Sequence, residues 1–168
     1  MGDLVDRGPN SKDCLHWLAK PWFHAVRGNH EQMAIDHDLW LDDLLIRNGC
    51  KWFVDLTVEE KQVFIDAFDK LPYIIEVDTS KGLVGILHAE PIVHDWEPLK
   101  YLVDTSTNAK DITLWSRNRI ERRIQSVVEG VAAVYVGHTP VQEVTKLGNV
   151  VYIDTGAVWS SKLTLIQI

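Results

Sequence analysis

The chain has 168 residues, of which 46% are apolar and 24% charged, with ten Gly and six Pro. This length and composition predict one globular domain with its own core and exclude a largely disordered or low-complexity protein. Seventeen Lys and Arg against 24 Asp and Glu give a formal net charge of −7, which disfavours broad electrostatic binding of nucleic acid or an anionic membrane. Any anion that the protein binds must therefore be held locally.

The sequence favours a cytoplasmic location. No apolar run approaches the roughly 18 to 20 residues that a membrane-spanning helix requires. The segment Met1 to Pro9 carries two aspartates where a signal peptide would be basic and then apolar. Cys14 and Cys50 lie outside any CxxC pattern, which favours two buried thiols in a reducing compartment over a disulfide. We expect neither nucleic acid nor a membrane as a partner.

The first half of the chain is predicted to be mainly helical. Its helices are indicated by apolar residues at helical spacing, by capping residues and by Pro or Gly stops. The predicted elements are a helix from Asn10 or Ser11 to about Lys20, a short strand at 23–26, helices at 31–37 and 39–47, and a helix opened by the capping box Thr57-x-x-Glu60.

From Tyr73 onward, β-branched and aromatic runs bounded by turns predict strands. These strands are expected at 73–77, 83–87, 131–136, 150–153 and 162–168, with a tight hairpin turn at Leu147-Gly148-Asn149 and a helix over about 111–127. The class is therefore α/β or α+β. Polar residues cluster just beyond the strand ends, which is where ligands bind in such sheets.

Four short segments place Asp, Asn or His at a predicted strand end, three of them together with Gly. They are Gly2-Asp3-Leu4-Val5-Asp6-Arg7-Gly8, Gly28-Asn29-His30-Glu31, Leu87-His88-Ala89 and Val136-Gly137-His138-Thr139. One such His alone is more often a loop or capping residue, and one Asp-Arg pair is usually a surface ion pair. Together they offer a carboxylate, an amide oxygen and two imidazoles, a donor set that suits Mn²⁺, Fe or Zn²⁺ better than Ca²⁺.

Two further segments, Leu114-Trp115-Ser116-Arg117 and 152–158, complete a pattern that covers essentially the whole chain. Its order and spacing resemble the phosphoprotein phosphatases of the calcineurin-like metallophosphoesterase superfamily, in particular the bacterial and lambdoid-phage Ser/Thr phosphatase branch. The resemblance implies a single metallophosphoesterase domain over residues 1–168, built as a four-layer α/β/β/α sandwich.

The resemblance also implies a metal centre with two divalent ions, with Mn most favoured and Fe or Zn as alternatives. Asp3 would bridge the two ions, and Asn29, His88 and His138 would complete the shell of the second. A hydroxide on the metal would then attack phosphorus directly, so no covalent phosphoenzyme is expected.

The remaining site residues implied by the resemblance act on protons and phosphate. His30 corresponds to the general acid for the leaving alkoxide, and Asp6 to the carboxylate that orients it. Arg7 and Arg117 would hold the non-bridging phosphate oxygens, because a planar guanidinium donates two parallel hydrogen bonds. Other motif residues are expected to be structural: Arg27 and Glu31 brace their loop, and Asp154 and Thr155 form a turn.

The sequence departs from the family pattern in two places. The family begins with a strand that leads into a Gly-Asp-x-His-Gly segment, and the Asp and His of that segment bind the first metal. This chain starts inside the second motif. We therefore expect an incomplete first-metal site, a missing first βα unit, and reduced stability or self-association. A GTG valine codon read as the start at Met1, or a truncated gene, would account for this. In addition, the spacing between His88 and the following Pro91 is shorter than is usual in the family.

Three functions are compatible with this pattern. The first is a metal-dependent Ser/Thr protein phosphatase whose partner is a phosphorylated protein or peptide. The second is a symmetrical diadenosine tetraphosphatase, which shares the scaffold and metals. The third is a truncated, inactive domain that binds phosphate or a partner protein. Asp6 in Asp-Arg-Gly and Glu31 in Asn-His-Glu favour the first, and the oligomeric state is left open.

Overall fold

A computed structural model describes residues 1–168. The chain forms two compact units, Gly2–Pro72 (the N-terminal unit) and Tyr73–Ile168 together with Met1 (the C-terminal unit). Each unit has its own apolar core. The α/β class is confirmed, and the organisation as one domain stays a prediction. None of the helices is both long enough and apolar enough to cross a bilayer.

The N-terminal unit is helical, as predicted. Its elements are a 3-10 helix Ser11–Asp13, α1 Cys14–Leu18, α2 Asn29–Ile35, a 3-10 helix His37–Leu39, α3 Asp42–Arg47, α4 Lys51–Val54 and α5 Val58–Phe68. The predicted strand at 23–26 is wrong, because these residues pair with no other strand. Ala25 and Val26 are nevertheless buried, so the apolar run there reflects burial in a loop and not pairing in a sheet.

Local sequence signals fix two helix ends of this unit, the start of α5 and the end of α3. Thr57 and Glu60 form the predicted capping box: the Glu60 amide donates to Thr57 Oγ1 at 3.3 Å, and the Thr57 amide donates to Glu60 Oε2 at 2.9 Å. Helix α3 stops at Asn48-Gly49, where Gly49 has φ +96°. A Cβ at Gly49 would lie 2.6 Å from the Arg7 amide nitrogen, so glycine is required there.

Aromatic rings and buried thiols fill the N-terminal core. Trp52 and Phe64 contact edge to face at a centroid distance of 4.9 Å. Cys14 and Cys50 are free and buried, in agreement with the expectation of core thiols. Burial, aided by the charge of Glu31, raises the pKa of Cys14 to about 12, so this thiol is neutral and unreactive at ordinary pH.

The C-terminal unit contains one mixed sheet of five strands. They are β1 Ile75–Thr79, β2 Gly82–Ile86, β3 Ala133–Val136, β4 Thr145–Leu147 and β5 Val150–Tyr152, in the order β1-β2-β3-β5-β4. The central pairs β2/β3 and β3/β5 are parallel, and the outer pairs are antiparallel. All five strands belong to this one sheet.

Four helices accompany the sheet: α6 Trp96–Thr105, α7 Thr107–Trp115, α8 Asn118–Glu121 and α9 Ala157–Ser160. The predicted helix over about 111–127 is confirmed only in part: 111–115 lie in α7 and 118–121 form α8. Ser116 adopts an extended conformation (ψ 142°) and separates the two helices. The predicted hairpin turn is correct and joins β4 to β5, with Gly148 at φ +63°. Residues 162–168 form no strand, since no neighbouring strand pairs with them.

Trp96 anchors the core of the C-terminal unit. Its side chain is fully buried, and its indole NH donates to Glu76 Oε1 at 2.6 Å. This hydrogen bond is the main reason that the pKa of Glu76 is lowered, and a second hydrogen bond from Lys100 adds to the effect. The indole lies flat against Gly85 of β2, where a Cβ would be only 2.1 Å from Trp96 Cη2. The close approach of strand and ring therefore requires glycine.

We predict that Gly85→Ala lowers the free energy of unfolding by about 1–3 kcal/mol, because the added methyl group overpacks the Trp96 pocket. Gly8→Ala is the matched control, since a Cβ at Gly8 meets nothing closer than 3.8 Å. Urea unfolding followed by Trp fluorescence measures both variants. Equal stability of the two variants would contradict the packing argument.

Candidate active site

The first motif forms a strained loop in the N-terminal unit. Asp3, Asp6 and Arg7 have φ values of +54°, +73° and +60°, a region that side chains other than glycine rarely occupy. Each such residue costs on the order of 1–3 kcal/mol and persists only where other contacts hold it. Strain of this kind, repeated three times in five residues, is typical of a functional loop.

The carboxylate of Glu31 supplies those contacts. Glu31 is fully buried and accepts backbone hydrogen bonds from Asp3 at 2.9 Å, Leu4 at 2.7 Å and Gly28 at 2.7 Å. Gly28 completes the junction, because a Cβ there would lie 2.4 Å from the Asp3 amide nitrogen. Glu31 therefore ties the Asp3 loop to the start of α2, the bracing role expected from the sequence.

Asp6 and His30 form a buried pair. Asp6 Oδ2 lies 2.5 Å from His30 Nδ1, and both side chains are almost inaccessible to solvent. Trp52 Nε1 donates to the other carboxylate oxygen at 2.6 Å, and the Asp6 amide donates to Ser11 Oγ at 2.9 Å. Burial alone would lower the pKa of His30, but the hydrogen bond with Asp6 and the negative charge of Asp3 outweigh it and raise the pKa.

The other predicted residues of this unit lie around the same loop. Asn29 is buried and is the first residue of α2. Asp3 Oδ1 accepts the His30 amide at 3.2 Å. Arg7 is exposed. Arg27 donates to Gln32 Oε1 at 3.0 Å and contacts Asp69 Oδ1 at 3.1 Å, so it braces the unit as expected.

In the C-terminal unit, two parallel strands bring the predicted histidines together. His88 follows β2 and His138 follows β3, and the Gly137 amide donates to the His88 carbonyl at 2.8 Å. His88 Nε2 lies 3.2 Å from His138 Nδ1. Two imidazole nitrogens that bind one divalent ion at about 2.1 Å are themselves roughly 3.0–3.4 Å apart. The spacing of this pair therefore fits a divalent metal.

A backbone carbonyl lies beside each ring. His88 Nδ1 lies 2.8 Å from the carbonyl oxygen of Met1, and His138 Nε2 lies 3.2 Å from that of Trp115. A carbonyl can only accept, so His88 Nδ1 carries the proton and His88 Nε2, which faces His138, is unprotonated. An unprotonated imidazole nitrogen is the form that binds a metal. The chemistry of the pair thus also fits a metal.

Arg117 lies beside this pair, between α7 and α8. It is exposed, and its Nε is 3.4 Å from His138 Nε2. Asp154 accepts the Gly156 amide at 2.8 Å and therefore forms a turn, as predicted. Sequence patterns did not indicate Trp52 or Glu90 as parts of the site. Their roles depend on contacts 46 and 26 residues apart in the chain, which no local pattern reports.

The sequence profile of the calcineurin-like phosphoesterase family matches residues 1–153. The chain belongs to this family. Calcineurin-like phosphoesterases use divalent metal ions, in agreement with the facing nitrogens of His88 and His138.

The chain is also similar to individual proteins of known name. The chain is 37% identical to serine/threonine-protein phosphatase 1 of Salmonella typhimurium, over the whole chain and 76% of that protein. It is 33% identical to serine/threonine-protein phosphatase 2 of Escherichia coli, over the whole chain and 78% of that protein. An asymmetrical bis(5'-nucleosyl)-tetraphosphatase of Bacillus subtilis is 28% identical, over 97% of the chain and 72% of that protein.

Solved structures agree on the fold. A mutant of a cold-active protein tyrosine phosphatase superimposes with a TM-score of 0.55 at 19% identity, over 97% of this chain. The chain spans 61% of that structure's length. The corresponding phosphatase from a psychrophilic Shewanella species gives a TM-score of 0.50 at 17% identity. These likenesses concern the fold alone.

We predict that Glu31→Gln destabilises the protein by about 1–3 kcal/mol, because an amide cannot accept all three backbone hydrogen bonds and leaves a buried donor unsatisfied. The control is Glu59→Gln, which removes the same charge from an exposed position on α5. Chemical denaturation of both variants tests the prediction. A Glu31→Gln variant as stable as the control would show that the carboxylate does not hold the loop.

Proposed function

We propose that this calcineurin-like phosphoesterase is a metal-dependent Ser/Thr protein phosphatase that hydrolyses phosphate monoesters. The proposal rests on the His88–His138 pair, whose facing nitrogens lie 3.2 Å apart at the ends of adjacent strands. The full-length similarity to two bacterial proteins named serine/threonine-protein phosphatases supports the substrate class. Its partner is then a phosphorylated protein or peptide.

Asp3, Asn29, His88 and His138 are the residues that would hold the metal. They offer a carboxylate, an amide oxygen and two imidazoles, which favours Mn²⁺ while also suiting Fe or Zn²⁺. Asp3 is the proposed bridging ligand for a second ion. When bound, the metal acidifies water and neutralises charge on the phosphoryl group.

His30 is the proposed general acid. Its Nδ1 is engaged by Asp6 at 2.5 Å, which fixes the orientation of the ring and leaves Nε2 to deliver a proton to the leaving alkoxide. Trp52 and Ser11 hold Asp6 from two sides, so the pair is preorganised.

Arg7 and Arg117 are the proposed phosphate-binding residues. Both are exposed, so their guanidinium groups are accessible to a substrate. Each can donate two parallel hydrogen bonds to non-bridging oxygens, an arrangement that a lysine does not reproduce. They bind the substrate and stabilise the charge that shifts on phosphate during hydrolysis.

Dinucleotide hydrolysis is the competing function. Two Bacillus relatives named as asymmetrical bis(5'-nucleosyl)-tetraphosphatases are 28% and 26% identical to the chain, below the 33–37% of the two protein phosphatases. Identity therefore favours the protein phosphatase. A direct comparison of substrates separates the two activities.

With Mn²⁺ added, we expect the chain to release phosphate from a phosphothreonine peptide faster than it cleaves diadenosine tetraphosphate. His88→Ala is expected to lose metal uptake and turnover together, because it removes one of the two facing nitrogens. Elemental analysis and phosphate release measure these quantities. Metal uptake without any turnover would contradict the proposal and favour a phosphate-binding domain, and faster cleavage of the dinucleotide would favour the competing enzyme.

We also expect His30→Asn to reduce kcat by about 100-fold or more, in line with the usual contribution of a general acid, while metal stoichiometry is unchanged. His16→Asn is the control, because His16 is exposed and lies outside every motif. Steady-state kinetics and elemental analysis of both variants check this. A parallel loss of metal in His30→Asn would make His30 a ligand or a structural residue.

A further inference from the structure

Glu90 is a buried carboxylate that the proposed chemistry does not use. It is 4% exposed, in the short segment that follows His88. Its Oε1 accepts the Ser116 hydroxyl, and its Oε2 accepts the Arg119 amide at 2.7 Å. Burying a charged group costs free energy unless its hydrogen bonds are satisfied. Here both carboxylate oxygens accept hydrogen bonds from one short stretch of chain.

That stretch contains Arg117. Glu90 binds residues on both sides of Arg117: Ser116, which precedes it, and Arg119, which lies two residues after it. Ser116 Oγ also accepts the Asn118 amide at 3.3 Å. Arg117 is therefore an exposed residue between two contacts of one buried carboxylate, just before α8 begins.

The far flank, at Arg119, is anchored a second time. The buried Arg119 side chain donates to the carbonyl oxygens of Ile124 at 3.0 Å and Ser126 at 2.8 Å. Arg119 cannot shift without breaking these bonds. At the near flank, the Ser116 amide donates to the Ile112 carbonyl at 3.0 Å, but the Ser116 hydroxyl is held by Glu90. Loss of the carboxylate would therefore release the Ser116 side chain and the Arg119 amide on either side of Arg117.

We propose that Glu90 is a positioning residue, which holds the segment from Ser116 to the start of α8 so that Arg117 presents its guanidinium to the phosphate of the substrate. This rests on the proposed function, because it takes Arg117 as a phosphate-binding residue. Glu90 does not touch the substrate. Its effect on phosphate binding passes entirely through Arg117, which makes it separable from a general structural role.

The test is a double-mutant cycle on the full chain with Mn²⁺, using inorganic phosphate as the probe and calorimetry as the readout. Arg117→Ala is expected to weaken phosphate binding by about 10- to 100-fold, the range for a lost charged hydrogen bond. Glu90→Gln is expected to weaken it by several-fold in the wild-type background and by less than 2-fold when Arg117 is already Ala. An equal effect of Glu90→Gln in both backgrounds would overturn the proposal.

Matched variants control for charge and folding. Glu143→Gln removes one exposed carboxylate and should leave phosphate binding unchanged. If Glu90→Gln does not fold, Ser116→Ala removes only the near anchor and should reproduce its effect, while Ser116→Thr keeps the hydroxyl and should restore binding. Failure of Thr to restore what Ala removes would count against the anchor.

A second readout separates this proposal from the proposed function. If the wild-type chain does not bind phosphate and Arg117→Ala changes nothing, the proposed phosphatase function fails. NMR relaxation of the Arg117 Nε–H group then tests positioning alone. A more mobile Arg117 side chain in Glu90→Gln, with Glu143→Gln unchanged, would support the positioning role, and equal mobility in the two would overturn it.

Discussion

The N-terminal unit depends on one buried carboxylate. Glu31 accepts three backbone amides, two from the strained loop at Asp3 and Leu4 and one from Gly28 at the start of α2. Hydrogen bonds to a buried, ionised acceptor are strong. They can offset the strain of non-glycine residues in the left-handed region. The same bonds fix where α2 begins, and hence where Asn29 and His30 lie. Loop strain and helix position are thus consequences of a single interaction.

The C-terminal unit uses the same device at a different place. Glu90 accepts one hydroxyl and one amide on either side of Arg117, as Glu31 does for the residues around Asp3. In both cases the carboxylate is buried and holds a short segment that contains a proposed site residue. Exposed loops are usually mobile. A buried acceptor under each loop restricts that mobility without occupying the surface that a substrate must reach.

Sequence rules succeeded where the cause was local. The capping box at Thr57 and the hairpin turn at Gly148 follow from residues within four positions of each other, and both were predicted. Rules failed where neighbours far along the chain decide the outcome. The segment 162–168 has strand-forming residues but no partner strand, and 23–26 is apolar because it is buried in a loop. For the same reason, the contact of Trp52 with Asp6, 46 residues away, has no signature in the sequence.

The histidine pair shows how topology supplies what motifs leave out. The sequence places one His after each of two predicted strands but does not say that the strands are neighbours. Parallel pairing of β2 with β3 brings the two strand ends to one edge of the sheet, and the carbonyl of Met1 fixes the tautomer in which His88 Nε2 is the unprotonated nitrogen that faces His138. A divalent ion bound by both rings would connect the ends of the two strands. Metal binding at this pair would therefore also stabilise the end of the sheet that carries it.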